Sequence, residues 1–296
     1  MSLRSSSSAQ QAREARLREN WTPPGPPAQG RPDDPLWAAD PGQTLDAFAG
    51  HWRLYQLQGG HRFSTDDMLA AWWAIATCEA RGHVPARALD LGCGIGSVGL
   101  WLAWAFSDLQ LTGLEAQEAS MVLAQRSAAY NGVEHRTRWC LGDLRELDAL
   151  VSTVEPASFD LVTGSPPYWP PESGTLSTGP QKAPCRFEQR GGVEDYLDVM
   201  ARWLAPTGIG TLVFDGRQRN RLDEAIRAAR LSLVRAQEIV SREGDPPLLV
   251  VVAVGHPGAH AGEPEAPPLL LRHVDGTRSE AFQKIRVRMG FPPGRI

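Results

Sequence analysis

The sequence predicts a doubly wound α/β domain, with a mostly parallel seven-stranded sheet, helices on both faces and an antiparallel last strand. Three observations carry this. Apolar runs of strand length alternate with helically spaced apolar positions between about residues 51 and 255. One such run, ending at Asp90-Leu91, passes through Gly92-Cys93-Gly94-Ile95-Gly96 into the helical pattern of Val98, Leu100, Trp101 and Ala105. Acids close three successive runs, at Asp90, Glu115 and Asp143.

Residues 1–50 begin with a serine tract and continue through Pro23-Pro24-Gly25-Pro26-Pro27. That composition buries too little apolar surface to offset ordering, so a mostly disordered tail is expected there. Trp52, Leu54, Tyr55 and Leu57 suggest a short strand. Ser64 or Thr65 then caps a helix with Asp66 and Asp67 in its first turn and a stripe of Met68, Leu69, Trp72, Trp73 and Ile75. After the glycine turn and its helix, a strand over 109–115 ends in Glu115. A helix over 117–130 stops at Asn131-Gly132, and a third strand runs from 138 to Asp143. The fourth strand, 159–164, enters Ser165-Pro166-Pro167-Tyr168. Beyond it come a long proline- and glycine-rich loop, an amphipathic helix over 193–204, a strand over 208–214, a charged helix over 219–230 and a strand pair over 231–240 and 248–254. Residues 256–296 form an extension with a possible edge strand over 269–272. The basic, alternating 283–288 segment reads as a strand with one cationic face or a solvated tail.

With 296 residues, 42% hydrophobic content and a net charge of −4, the chain can bury one substantial core, and no global positive field draws it to nucleic acid. Any contact with RNA must use local basic patches. Cys78, Cys93, Cys140 and Cys185 are scattered, with no histidine at metal spacing, so neither zinc nor a disulfide framework is indicated. No apolar run is long enough to span a membrane, and a cytoplasmic protein is expected.

Gly92, Gly94 and Gly96 allow positive φ and close approach of a ligand to the backbone. The overlapping Gly94-Ile95-Gly96-Ser97-Val98-Gly99 also satisfies the dinucleotide pattern, which keeps a nicotinamide-dependent oxidoreductase as an alternative. Asp90 separates the two. An acid ahead of the first glycine repels a pyrophosphate and suits S-adenosylmethionine, which carries an ammonium and a sulfonium. Glu115 is placed for the ribose hydroxyls and Asp143 for an adenine amino group. In Ser165-Pro166-Pro167-Tyr168 the prolines fix the backbone and free its carbonyls, Ser165 adds a hydroxyl and Tyr168 a flat face, a set that grips a planar amide or an exocyclic amine. Trp169, Lys182, Arg186 and Arg190 make the following loop a candidate substrate contact.

Gln58-Gly59-Gly60-His61-Arg62-Phe63-Ser64-Thr65-Asp66, Asp90-Leu91-Gly92-Cys93-Gly94-Ile95-Gly96 and Ser165-Pro166-Pro167-Tyr168, in this order, resemble the bacterial tRNA(Val) adenine-N6 methyltransferases among the small-domain methyltransferases. The resemblance covers about residues 50–255 and implies a Rossmann-like fold. It also implies cofactor contacts at Phe63, Ser64, Thr65, Asp66, Asp90, Gly92, Gly94, Gly96, Glu115, Asp143 and Leu144, and catalytic positions at Ser165, Pro166, Pro167 and Tyr168. The implied activity is S-adenosylmethionine-dependent methylation of adenine N6 in tRNA or another structured RNA. Ser165 departs from the usual Asn or Asp of adenine enzymes. It is similar to the N4-cytosine motif, while Asn-Pro-Pro-Tyr also marks glutamine-amide methyltransferases of release factors. The acceptor is therefore left open among adenine, cytosine and glutamine, and a non-catalytic scaffold stays as a further alternative.

Overall fold

A computed structural model describes residues 21–146, 155–169, 188–263 and 265–293. Its centre is an eight-stranded sheet built from β3 (Arg87–Leu91), β4 (Gln110–Glu115), β5 (Thr137–Leu141), β6 (Phe159–Gly164), β7 (Leu204–Asp215), β8 (Ser232–Arg242), β9 (Pro247–Gly255) and β10 (Ala266–Arg272), in the order β10-β8-β9-β7-β6-β3-β4-β5. Strands β3 to β7 run parallel, and β9 lies antiparallel between β7 and β8. The expected seven strands are therefore present, and the last of them, β9, is the antiparallel one. Strand β10 adds an eighth, parallel to β8.

Alternation along the strands divides the core in two, because successive side chains leave opposite faces. Ala88, Leu161, Val251 and Ala253 face one cluster with α1 (Thr65–Ala80), α2 (Ser97–Ala105) and α3 (Glu118–Tyr130). Leu89, Leu91, Val162, Val250 and Val252 face the other with α4 (Val193–Trp203) and α5 (Arg219–Ala228). Helix α1 starts where the sequence places it. Ser64 Oγ accepts from Asp66 N and Asp67 Oδ2 accepts from Ser64 N at 2.7 Å, a reciprocal cap that satisfies two orphan donors. At the far end of α2, the buried Arg136 guanidinium donates to the carbonyls of Ala103, Phe106 and Leu109, a cation set against the negative helix terminus.

Two terminal expectations change. The stretch assigned to a tail includes β1 (Gln43–Ala47), paired antiparallel with β2 (Arg53–Leu57), and Phe48 and Ala49 are buried in the core; residues 1–20 lie outside the described residues. The pairing partner supplies the order that composition alone does not. The basic C-terminal segment is helix α6 (Glu280–Arg288), not a strand: Ser279 caps it, and Phe282 and Ile285 face inward three residues apart. Past α6, the Met289 carbonyl accepts from Trp101 Nε1 and Phe291 stacks on Phe63, with Arg286 over its ring.

Trp101 joins the segment after β1 and the turn after α6 to the core. It is fully buried, 4.1 Å between ring centroids from Phe48 and 5.8 Å from Phe63. Trp101→Ala is expected to cost about 3–5 kcal/mol in chemical denaturation. A loss below about 1 kcal/mol would show that the aromatic cluster relaxes around the cavity.

Candidate functional site

The carboxyl ends of β3, β4 and β6 and the N-terminus of α1 enclose a cavity of about 620 Å³. Gly92, Gly94 and Glu115 line one side, Ser64, Asp66 and Asp67 another, and Ser165, Pro166, Pro167 and Tyr168 a third. The glycine turn and the diproline corner thus share one cleft, because β3 and β6 are hydrogen-bonded neighbours in parallel register, with Leu91 opposite Gly164.

The turn is held from below and from the side. Asp90 lies beneath it, fully buried, its Oδ2 accepting from Gly99 N at 2.9 Å and its Oδ1 from Thr163 Oγ1 at 2.9 Å. Burial pushes its carboxyl up to about 7, against the two hydrogen bonds. Asp90 does not line the cleft. The expected direct contact becomes a structural tie from β3 to both α2 and β6. Glu115 does line it, accepting from Gly94 N at 2.8 Å and Gln117 N at 2.7 Å. With a third backbone bond, from Ala116, the carboxylate still keeps accepting capacity for a hydroxyl. Gly92, Gly94 and Gly96 all have positive φ, and a Cβ on Gly94 would meet nothing within 4 Å, so its backbone borders open space.

Three donors of the turn are spent internally. Cys93 N bonds the Leu114 carbonyl, Gly94 N the Glu115 carboxylate and Gly96 N the Cys93 carbonyl. A pyrophosphate needs such N–H groups free at a helix N-terminus, whereas the carboxylates of Asp66, Asp67 and Glu115 face the cleft, alongside Arg62 and Arg190. Burial, followed by the neighbouring Asp67, raises Asp66 to about 6. A cleft that presents three carboxylates and whose turn has these three N–H groups engaged fits a cationic ligand carrying a ribose, and the residues fit S-adenosylmethionine on these grounds.

The remaining predicted positions divide. Leu144 and Trp169 border the cleft. Arg190 does too, and its Nη1 is buried with no hydrogen-bond partner among the described residues. Burial raises the Glu115 carboxyl, with the Arg190 charge acting in the other direction, and the Arg145 hydrogen bond, with a smaller part from Arg190, holds the Asp143 carboxyl down. Phe63, Thr65, Gly96 and Asp143 stand back from it. Phe63 packs on Phe48, Trp101 and Phe291, and Thr65 is the exposed first residue of α1. A Cβ on Gly96 would press on Trp139, and Asp143 is engaged by Arg145 through a salt bridge and a backbone bond. Lys182 and Arg186 lie outside the described residues.

Sequence reading missed two supports. Tyr196, taken for part of an amphipathic face, lines the cleft, and a Cβ on Gly92 would lie 2.2 Å from its hydroxyl. Gln56, on the strand paired with the supposed tail, is fully buried and accepts from Phe63 N at 2.9 Å, while its amide donates to Asp46, which also holds Arg62. The hairpin thus fixes the approach to α1. Ser97 Oγ then donates to Asp67 Oδ1 at 3.0 Å, tying the starts of α1 and α2 together. At the corner, Tyr168 packs edge-on against Phe214 at 5.7 Å, and its hydroxyl faces Asp66 Oδ2 at 3.5 Å. Burial, then the Asp66 charge, raises that phenol well above its ordinary value, while a hydrogen bond with Ser165 acts in the other direction.

Fold and cleft together fit a Rossmann-like domain that holds S-adenosylmethionine, and the comparisons agree with that fit. Residues 76–178 match the methyltransferase small domain family. Among curated relatives, the tRNA1(Val) (adenine(37)-N6)-methyltransferase of Porphyromonas gingivalis strain W83 is 28% identical over 177 residues, 60% of this chain and 66% of the relative, just under two thirds of its length. The enzyme of the same name from Shewanella baltica strain OS185 is 22% identical over 76% of this chain and 90% of its own. A release factor glutamine methyltransferase of Bordetella pertussis is 32% identical over 121 residues, 41% of each chain. Among solved structures, a predicted O-methyltransferase from Agrobacterium tumefaciens superposes with a TM-score of 0.58 at 18% identity, over 76% of this chain and 97% of its own, which bears on the fold alone. Among the described residues no helix is long and apolar enough to cross a membrane, and no cluster of His, Cys, Asp and Glu is arranged to hold a metal.

Two outcomes test the cleft. Asp66 holds its proton to about pH 6 in the free protein, and a bound cation favours the ionised form. Cofactor affinity therefore rises with pH through that value and levels off above it. If the bound carboxyl returns to the ordinary aspartate value of 3.8, calorimetry will give binding about fourfold tighter at pH 7.5 than at pH 5.5. Asp66→Asn will flatten the profile, and an unchanged profile in that variant would assign the titration elsewhere. Gly92→Ala, which drives a methyl into the Tyr196 hydroxyl at a positive-φ position, is expected to abolish cofactor binding while the cooperative unfolding transition survives; full binding would mean that the turn yields.

Proposed function

We propose that this protein is an N-methyltransferase acting on an exocyclic amino group, with adenine N6 in tRNA or another structured RNA as the acceptor. The observation that carries this reading is the position of Ser165, Pro166, Pro167 and Tyr168 in the same cavity as Gly92, Gly94 and Glu115. The names of the Porphyromonas and Shewanella relatives support the choice of RNA.

S-adenosylmethionine, when bound, supplies an electrophilic methyl group. In this reading Glu115 accepts from the ribose hydroxyls, and Asp66 and Asp67 balance the positive charge. The exocyclic amine is a weak nucleophile because its lone pair is delocalised into the ring. Ser165 Oγ and the Pro166 carbonyl accept its two N–H groups, which favours a pyramidal nitrogen and frees that lone pair. The consecutive prolines hold the corner without help from sheet hydrogen bonds, and both are buried. The Tyr168 ring is braced by Phe214 and its backbone carbonyl by Gln218 Nε2 at 2.6 Å, so it offers a fixed flank to a base turned out of its stack. An unpaired loop presents such a base at lower cost than a duplex. Catalysis in this site is mainly alignment of two reactants.

The test is mass spectrometry of nucleosides and proteins after the full chain is incubated with bulk bacterial tRNA, a cell extract and methyl-labelled cofactor. N6-methyladenosine is the expected product, lowered about a hundredfold in Tyr168→Ala by misplacement of the base. Label on N4 of cytidine would move the acceptor to cytosine. Label confined to a glutamine side chain would replace the RNA reading with that of the Bordetella relative's name.

A further inference from the structure

We infer that Trp169 and Arg217 form a stacking shelf at the lip of the cleft for an unpaired nucleotide flanking the one that is methylated, an inference that rests on the RNA reading above. Trp169 follows Tyr168 directly and lines the cavity, yet remains 37% exposed. The Arg217 guanidinium lies 4.8 Å from the centroid of its ring. Arg217 sits in the single turn Gly216–Gln218 that follows β7, the parallel neighbour of β6, so the two residues leave adjacent strand ends on the same edge of the sheet.

The arrangement is built rather than incidental. Asp215, 2% exposed, takes Nε and Nη2 of Arg217 at 2.9 and 2.8 Å and also caps its backbone N–H. This planar fork fixes the guanidinium as a flat plate over the indole and leaves Nη1 outside the pair. The turn itself has little room to shift: a Cβ on Gly216 would meet the Pro247 carbonyl oxygen at 2.8 Å, and Gln218 bonds back to the Tyr168 carbonyl at 2.6 Å. Plate, indole and diproline corner therefore form one rigid unit.

Charge separates stacking from phosphate binding. Arg217 is matched by Asp215, Arg219 by Asp223 and Glu265, and Arg221 by Glu188 and Glu194. The lip carries no local excess of positive charge from these arginines. What it presents is an exposed indole and a charge-compensated guanidinium plane, and such surfaces hold unpaired bases through their π-faces. A base extruded at Tyr168 brings its chain neighbours within reach of this shelf.

Kinetics on the tRNA fraction labelled by the wild-type chain test this, together with the cofactor Kd and the salt dependence of RNA binding. Trp169→Ala and Arg217→Ala are each expected to raise KM for RNA at least about fivefold, the loss of one stacked base, with kcat changed less and the cofactor Kd unchanged. Arg217→Lys will behave like Arg217→Ala, because an ammonium cannot form the plate. The salt slope of binding will stay at its wild-type value in all three. If KM is unchanged in the variants while the wild type labels RNA, the shelf is refuted and the RNA reading stands. If Arg217→Lys restores KM, or the slope falls by one phosphate contact, Arg217 binds backbone and the stacking inference fails. If the wild type labels only protein, both readings fall together.

Discussion

The molecule turns on one buried carboxylate. Asp90 accepts from Gly99 N in α2 and from Thr163 Oγ1 in β6, so a single side chain at the end of β3 fixes the glycine turn above it and the strand that delivers the diproline corner. Its burial is costly, as its raised titration shows, and a carboxylate kept there needs both hydrogen bonds. Glu115 completes the hold from β4 by taking the Gly94 N–H. Between them the two acids engage the Gly99 and Gly94 N–H groups, which a phosphate could otherwise use, and Glu115 sets a carboxylate on the cleft wall. Structure and ligand preference thus have the same cause.

A second level of support lies outside the sheet. The β1–β2 hairpin fixes the approach to α1 through Gln56 and Asp46, and Asp67 then connects the α1 cap to Ser97 at the start of α2. The C-terminal turn after α6 adds Phe291 against Phe63 and the Met289 carbonyl against Trp101. The β1–β2 hairpin and the turn after α6 therefore brace the segment that carries Ser64, Asp66 and Asp67 into the cavity.

Much of the fold was legible because local signals agreed with one another. The Gly92–Gly96 turn, the Ser64 cap with its acids, and Asn131-Gly132 after α3 each say the same thing as the apolar periodicity around them. The diproline corner was legible as a feature of the strand end because consecutive prolines end a strand visibly, and it lines the cavity. What escaped depends on pairing across the chain. Gln43–Ala47 has no strong pattern and becomes a strand through β2. Residues 283–288 alternate basic and apolar like a strand, yet Ser279 caps them as a helix and Phe282 and Ile285 are buried against the core. Asp90 was recognised as important but assigned to the ligand, since sequence alone does not show that its oxygens are taken by Gly99 and Thr163. Tyr196 was invisible for a similar reason: an aromatic on an amphipathic helix reads as core, and only the fold brings its hydroxyl under Gly92.

The central claim is that cofactor and acceptor meet at one place, with the transferable methyl aimed at the corner formed by Ser165, Pro166, Pro167 and Tyr168. A crystal structure of the full chain with S-adenosylhomocysteine tests it most directly. The account predicts the ribose hydroxyls on Glu115 and the sulfur facing the Pro166 carbonyl and Ser165 Oγ across a gap that an amine nitrogen can fill. A cofactor bound elsewhere, or with its sulfur turned away from that corner, would contradict it.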